Sequence, residues 1–413
     1  MGRGQDADPE ISADQVRRRF VWARRQGRPA WLWPDVPIPA WRVALAEIEA
    51  AIISAISGSG ATLEGDPEAI GLAGYTSGMG PLLGWWLEQG RLSAGDEAAR
   101  VLRRHLAHNR TRAGRMALAA TGIVERLAER GIEPLVLKGS HTGPGYFPEA
   151  GTRPASDIDL LVRASDVAGA EAVLRSEGLV LESRGRWESN WRHVGSAGLP
   201  RSLSYVHADD PWSVDLHGSL NLSAGEGAPV ADLDRADPMG SRSRWPADPR
   251  AGVLDQPLLL LHLAAHAGAG WQNLTLLRQV ELVLVIQQDS AAGRLSWDEV
   301  LAVGDRTGAL GYAYPALRLA GKLAPGTVPD AALQACAARA TPQVRRALDG
   351  QTPASAQRID RSSLGEHFMW TGGWRGRLRQ LAADVAPQVR SASQLLGIYE
   401  ERAWRIIRGR VSQ

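Results

Sequence analysis

The 413-residue chain is 44% apolar and 22% charged, with a formal net charge of only +2. These proportions belong to a folded globular protein, and so slight a charge excess gives no whole-protein field that would draw in nucleic acid. The only cysteine, Cys336, excludes an internal disulfide and a cysteine-based zinc site.

At the N-terminus, Gln5, Asp6, Asp8 and Glu10 run on without an apolar stretch behind them, so no signal peptide is expected. The periodicity predicts helices over residues 41–56 and 96–130, the second burying a stripe of Leu102, Leu106, Met116, Leu118, Ile123 and Leu127. Glycines at 58–60 and 74–80 predict breaks between helices.

After Gly131 the pattern changes to short β-like runs at 134–137, 158–162, 178–182, 203–208 and 213–216, with one helix at 165–177. The last two runs read as a hairpin turning at Asp209, Asp210 and Pro211. Residues 225–250 are rich in Gly, Pro, Asp and Arg and read as a linker or long loop. Helical periodicity returns at 254–288 and continues to about Ala340. The most apolar segment, 256–271, is interrupted by His262 and His266 and is shorter than a bilayer span, so no membrane span is expected and the cytoplasm is the expected compartment. Residues 374–413 carry eight arginines against Asp384, Glu400 and Glu401 and predict a basic helical tail, amphipathic where Arg402, Arg405, Arg408 and Arg410 alternate with Trp404, Ile406 and Ile407.

Together these elements predict an α+β fold in which a small mixed-sheet core is flanked by N-terminal and C-terminal helical regions. The expected divisions are an N-terminal helical region at 1–114, the core at 115–224, a helical domain at 225–345 and the basic tail at 346–413.

The chemistry concentrates in the core. Along a strand, alternate side chains share a face, so Asp157 and Asp159 project together while Ile158 and Leu160 turn to the other side. Two adjacent carboxylates repel, and a divalent cation such as Mg²⁺, held with phosphate oxygens, relieves that repulsion. Asp215, between Val214 and Leu216, offers a third carboxylate that is suited to a second metal position or to accepting the proton of an attacking hydroxyl. Gly139 and Ser140 follow directly on an apolar strand, where backbone N–H groups can grip phosphates. Lys138 and Arg153 are the cations best placed to meet the remaining phosphate charge; Lys138 is notable because the only lysines are Lys138 and Lys322. His217 shares a strand face with Asp215. His262 and His266 lie four apart on one helical face, and without a third ligand they read as a pair packed in the cleft between domains.

A Gly-Ser after a strand, an Asp-x-Asp on the next strand and a lone Asp on a later one resemble the DNA-polymerase-beta-like nucleotidyltransferase superfamily. The run Leu137-Lys138-Gly139 through Arg153 to Asp157-Ile158-Asp159-Leu160-Leu161-Val162, with Val214-Asp215-Leu216-His217 downstream, is similar to its bacterial family of uncharacterised nucleotidyltransferases, over about 115–340. The resemblance implies Mg²⁺ or Mn²⁺ on Asp157, Asp159 and Asp215, and a nucleoside triphosphate donor, taken as ATP. It also implies transfer of a nucleoside monophosphate to a hydroxyl-bearing small molecule or peptide, in a setting of natural-product biosynthesis. Two departures stand out: Gly143-Pro144-Gly145 predicts a poor helix where the family starts its phosphate-anchoring one, and Glu281 stands where the family pattern carries Asp. Alternatives are a toxin-like enzyme acting on tRNA or protein, and an inactive fold serving as a binding component; the three intact carboxylates weigh against the latter.

Overall fold

The computed structural model describes residues 36–193, 212–225, 227–271, 274–358 and 368–385. The hairpin partner expected at 203–208, its turn at 209–211 and the tail beyond 385 lie outside them.

The N-terminal helices α1 (Ile38–Ile56), α2 (Pro67–Thr76) and α3 (Gly80–Glu88) bury Trp41, Leu45, Ile48, Ile70 and Leu83 among themselves. A two-stranded parallel ladder, β1 (Ala61–Leu63) with β2 (Leu92–Ala94), closes this layer. The 33-residue helix α4 (Asp96–Ala128) then runs from that layer to the sheet. Leu102, Leu106, Met116, Ile123 and Leu127 face inward as expected, but Leu118 is 76% exposed. Two positions beyond Met116, it has turned through about half the helix circumference, given 3.6 residues per turn.

The second sheet has seven strands in the order β5-β6-β7-β4-β3-β9-β8. They are β3 (Leu135–Val136), β4 (Asp157–Leu161), β5 (Leu179–Arg184), β6 (Glu188–His193), β7 (Ser213–His217), β8 (Arg242–Trp245) and β9 (Asp248–Leu254). The central pair, β4 and β7, is parallel, as are β3 and β9; the other neighbours are antiparallel. Residues 225–250 are thus no plain linker, since they hold β8 and the start of β9, which extend the sheet past β3. A strand also lies at β6, where none was expected, between β5 and β7.

Alternation sorts the sheet into two faces. Ile158, Leu160, Val214 and Leu216 pack with Trp191 against α4 and helix α6 (Val167–Ser176). The opposite face, with Leu135, Leu137 and Leu161, meets the C-terminal helices. These are α7 (Leu258–Ala269), α8 (Leu276–Ala291), α9 (Trp297–Thr307), α10 (Leu310–Leu323), α11 (Asp330–Arg339) and α12 (Pro342–Leu348), with α13 (Gly373–Val385) following. The short helix α5 (Lys138–Tyr146) sits between the sheet and α8. No described helix is long and apolar enough to cross a membrane.

Candidate active site

The strand register assembles the site. In the parallel β4–β7 ladder Asp159 lies opposite Asp215 and Asp157 opposite Ser213, so the three carboxylates share one face. β6 adds Asn190 opposite Asp215, and its side-chain amide donates to Asp215 Oδ1. His217, opposite Leu161 on that face, has Nε2 3.1 Å from Asp159 Oδ1 and Nδ1 3.4 Å from Glu188 Oε2.

The loop before β4 is held by α4. Asn109 Nδ2 donates to Gly151 O at 2.6 Å, and the buried Arg112 guanidinium donates to Ala155 O. This fixes Arg153, which makes a two-pronged pair with Glu281 of α8 at 2.9 and 3.1 Å. Thr142 Oγ1 donates to Glu281 as well.

Lys138 is the hinge between β3 and α5. Its φ of +43° is a conformation that non-glycine residues rarely adopt and that surrounding structure must enforce. The turn brings its Nζ to Asp159 Oδ1 at 2.7 Å, with Asp159 buried and Lys138 half-buried. Gly139 follows, and a Cβ there would stand 2.1 Å from Arg153 Nη1, so only glycine lets the guanidinium lie this close. Contrary to expectation, Gly143-Pro144-Gly145 does not prevent a helix: α5 runs on to Tyr146 with Pro144 inside it. The proline removes one backbone donor, while the buried Thr142 hydroxyl shares its one hydrogen between Lys138 O, at 2.9 Å, and Glu281, and Gly143 lies beside the Arg153 stem. The helix N-terminus, which includes Gly139 and Ser140, has no side-chain cap, leaving its N–H groups available to an anion.

The carboxylates are unequally compensated. Burial works against ionised Asp159, yet Lys138 and His217 together hold its carboxyl well below the usual range. Burial alone would lower Lys138, but Asp159 beside it leaves the ammonium raised. Asp157 is raised by burial and then by the Asp159 charge. Asp215 is pushed up to about 6, first by burial and then by the Asp159 and Asp157 charges. Among the described residues, no three His, Cys, Asp or Glu side chains converge as a ready metal-binding group. Asp159 Oδ1 bonds Lys138 and His217, and Asp215 Oδ1 accepts from Asn190.

Beside Lys138 opens a small cleft lined by Lys138, Arg153, Leu263, His266, Ala267, Arg278 and Glu281. The two histidines of α7 divide here. His262 is buried with Nδ1 unpartnered, and burial followed by the Lys138 charge lowers it to about 3. His266 lines the cleft with its Nδ1 3.3 Å from Arg278 Nη1.

The structure therefore places Asp157, Asp159, Asp215, Lys138, Gly139, Ser140 and Arg153 around one face of the β4–β7 pair, at the start of α5. Asn190 and Arg278 went unnoticed in the sequence. Asn190 lies on a strand of mostly polar residues, and Arg278 is one arginine among many; the Glu281 three residues on was the one available signal. A family model described as an uncharacterised nucleotidyltransferase matches residues 76–325, more than half of the chain. Comparison with curated proteins and with solved structures gave no match.

Proposed function

The chain belongs to the uncharacterised nucleotidyltransferase family, and on that premise we propose that it transfers a nucleoside monophosphate, AMP from ATP, to a hydroxyl of a small-molecule or peptide acceptor. The observation that carries this reading is the register of β4 and β7, which sets Asp159 opposite Asp215 on the face that bears Asp157, next to the uncapped start of α5. A net charge of +2 favours a small or peptide acceptor over nucleic acid.

The donor set fits a divalent cation. Its ligands are hard carboxylate oxygens, which suit Mg²⁺ or Mn²⁺. Asp157 and Asp215 are pushed up first by burial and then by neighbouring carboxylate charge, and a bound cation would offset both effects. Asp157 and Asp159 are the residues that would hold the ion, with Asp215 beside them. The ion, when bound, stabilises charge on the entering and leaving oxygens.

The chain's own groups perform the rest. Asp215, ionised above about pH 6, accepts the proton of the acceptor hydroxyl. The hydroxyl oxygen forms its bond to the α-phosphorus as the bond to the bridging oxygen breaks, and pyrophosphate departs with the electron pair. Lys138 and the N–H groups at the start of α5 meet phosphate charge, while Asn190 keeps the Asp215 carboxylate turned along the sheet.

Incubation with Mg²⁺, α-labelled nucleoside triphosphates and a panel of hydroxyl compounds and peptides tests the proposal. Label transfer by the wild type and none by Asp157→Asn is the expected result. Equal transfer by both proteins would overturn it.

A further inference from the structure

The cleft beside Lys138 has an unbalanced wall. Its charged groups are Lys138, Arg153, Arg278 and Glu281. Glu281 is committed to Arg153 and Lys138 is committed to Asp159. Arg278 is exposed, and among the described residues no carboxylate pairs with it. Its bond is to His266 Nδ1, at 3.3 Å.

The identity of that partner matters. An aspartate in the place of His266 would hold the guanidinium equally well but cancel its charge. His266 lies well below its ordinary range, first because of the Lys138 charge and then through burial and Arg278. It therefore stays neutral and can accept from Arg278 without adding a negative charge, so the guanidinium is oriented with no carboxylate among the described residues to cancel its charge.

Position then indicates the ligand. Lys138 both lines this cleft and touches Asp159. In the proposed reaction the α-phosphate must lie at the carboxylates, so the remaining phosphates of the nucleotide extend past Lys138 to the next cationic surface. We propose that Arg278, held by His266, binds the terminal phosphates of the nucleoside triphosphate and then the pyrophosphate that leaves. The proposal rests on the nucleotidyl-transfer reading of the carboxylates, and it assigns a polyphosphate contact to α8 of the C-terminal helices. A planar fork suits this duty, since it presents paired N–H groups to two phosphate oxygens.

The test is calorimetric titration with inorganic tripolyphosphate, and separately with nucleoside monophosphate, of wild type, Arg278→Ala and Arg278→Lys. Because Arg278 is exposed, its removal should leave the melting temperature unchanged. Arg278→Ala is expected to weaken tripolyphosphate binding by about tenfold or more, Arg278→Lys by less, with monophosphate affinity changed less than about twofold. In turnover assays the loss should appear mainly in KM for the triphosphate. Unchanged tripolyphosphate affinity in Arg278→Ala would overturn the assignment, as would an equal loss for monophosphate. Asp157→Asn separates the two readings. If that variant keeps wild-type turnover, the transfer reading fails whatever Arg278 does; if it is inactive while Arg278→Ala binds tripolyphosphate normally, only the Arg278 assignment fails.

Discussion

The two ends of the site solve opposite electrostatic problems. At the carboxylate end, three acidic groups share one sheet face while a single ammonium, Lys138, bonds one of them, and burial together with the neighbouring carboxylates holds Asp157 and Asp215 above their ordinary range. At the cleft end, half-buried Arg153 is matched by buried Glu281, and Arg278 leans on a histidine that stays neutral. One end lacks positive charge and the other has it to spare. A metal–triphosphate complex is a ligand with the same polarity, its cation at one end and its terminal phosphates at the other. The contrast shows how a protein with almost no net charge builds a strong local field by pairing some ionised groups and leaving others unpaired.

The largest effect should come from the uncompensated end. Asp157 takes no bond from an ammonium or guanidinium among the described residues, so Asp157→Asn removes charge repulsion without stranding a cation. Turnover should fall by about 10³-fold or more, while the melting temperature of the ligand-free protein holds or rises. Asp159→Asn is a poorer probe because it strands the half-buried Lys138 ammonium, and its loss of activity would mix with loss of fold. A marked drop in melting temperature for Asp157→Asn would break the contrast between the ends.

The compensated end should answer in stability. Glu281→Gln leaves the Arg153 guanidinium, only 10% exposed, without its counter-ion and weakens the bond that Thr142 makes. Removing one partner of a buried pair typically costs about 3–5 kcal/mol. Denaturant unfolding should show a loss of that size, and Arg153→Gln combined with Glu281→Gln should recover part of it.

The pH dependence of stability sharpens the comparison further. Asp215 has a folded value of about 6, raised above its ordinary value of 3.8, so between these pH values the folded state binds more protons than the unfolded state. Its contribution is therefore fully present below pH 3.8 and is lost as the pH rises through about 6. Allowing for the partial exposure of the side chain, the loss is on the order of 1–2 kcal/mol. Buried histidines such as His262, lowered in the folded state, act in the opposite direction over this range, so the Asp215 contribution is read as the stability difference between wild type and Asp215→Asn at pH 5 and at pH 7.5. That difference should move against wild type as the pH rises, and Mg²⁺ with nucleotide should reduce the movement.

How much of this arrangement could be read from the sequence follows from which forces act locally. Strand alternation is local, so the common face of Asp157 and Asp159 was legible, and the apolar flanks of Asp215 marked a strand as well. The partners were not. Glu281 lies 128 residues from Arg153, and nothing in either segment announces the pair. β6 buries only Ser189 and Trp191 among polar neighbours, and β8 with β9 begins in a stretch rich in Gly, Pro and Arg, so periodicity was too weak to mark either. The helix at Lys138–Tyr146 defeated propensity because its side chains hydrogen-bond to α8 and its glycines Gly139 and Gly143 lie against Arg153, which no local rule weighs. The expected inward placement of Leu118 failed for a simpler reason, since an apolar residue need not lie on the apolar stripe.

The smallest expected effect isolates one bond at the carboxylate end. Asn190 Nδ2 donates to Asp215 Oδ1, which favours the ionised form and pulls against the groups that raise Asp215. Asn190→Ala removes that donor, so the Asp215 value should rise, and the acid limb of the pH–rate profile should move to higher pH with it. Stability should change little. Asn190 Oδ1 is buried without a hydrogen-bond partner, so deleting the side chain removes one unsatisfied acceptor along with one satisfied donor, and the two effects offset to within about 1 kcal/mol. At a pH well above the shifted limb, turnover should return close to the wild-type level, because Asp215 is again fully ionised and still lies opposite Asp159 in the ladder. Rate profiles of wild type and Asn190→Ala from pH 5 to 9 check this. If turnover falls equally at every pH, Asn190 does not act through the Asp215 charge.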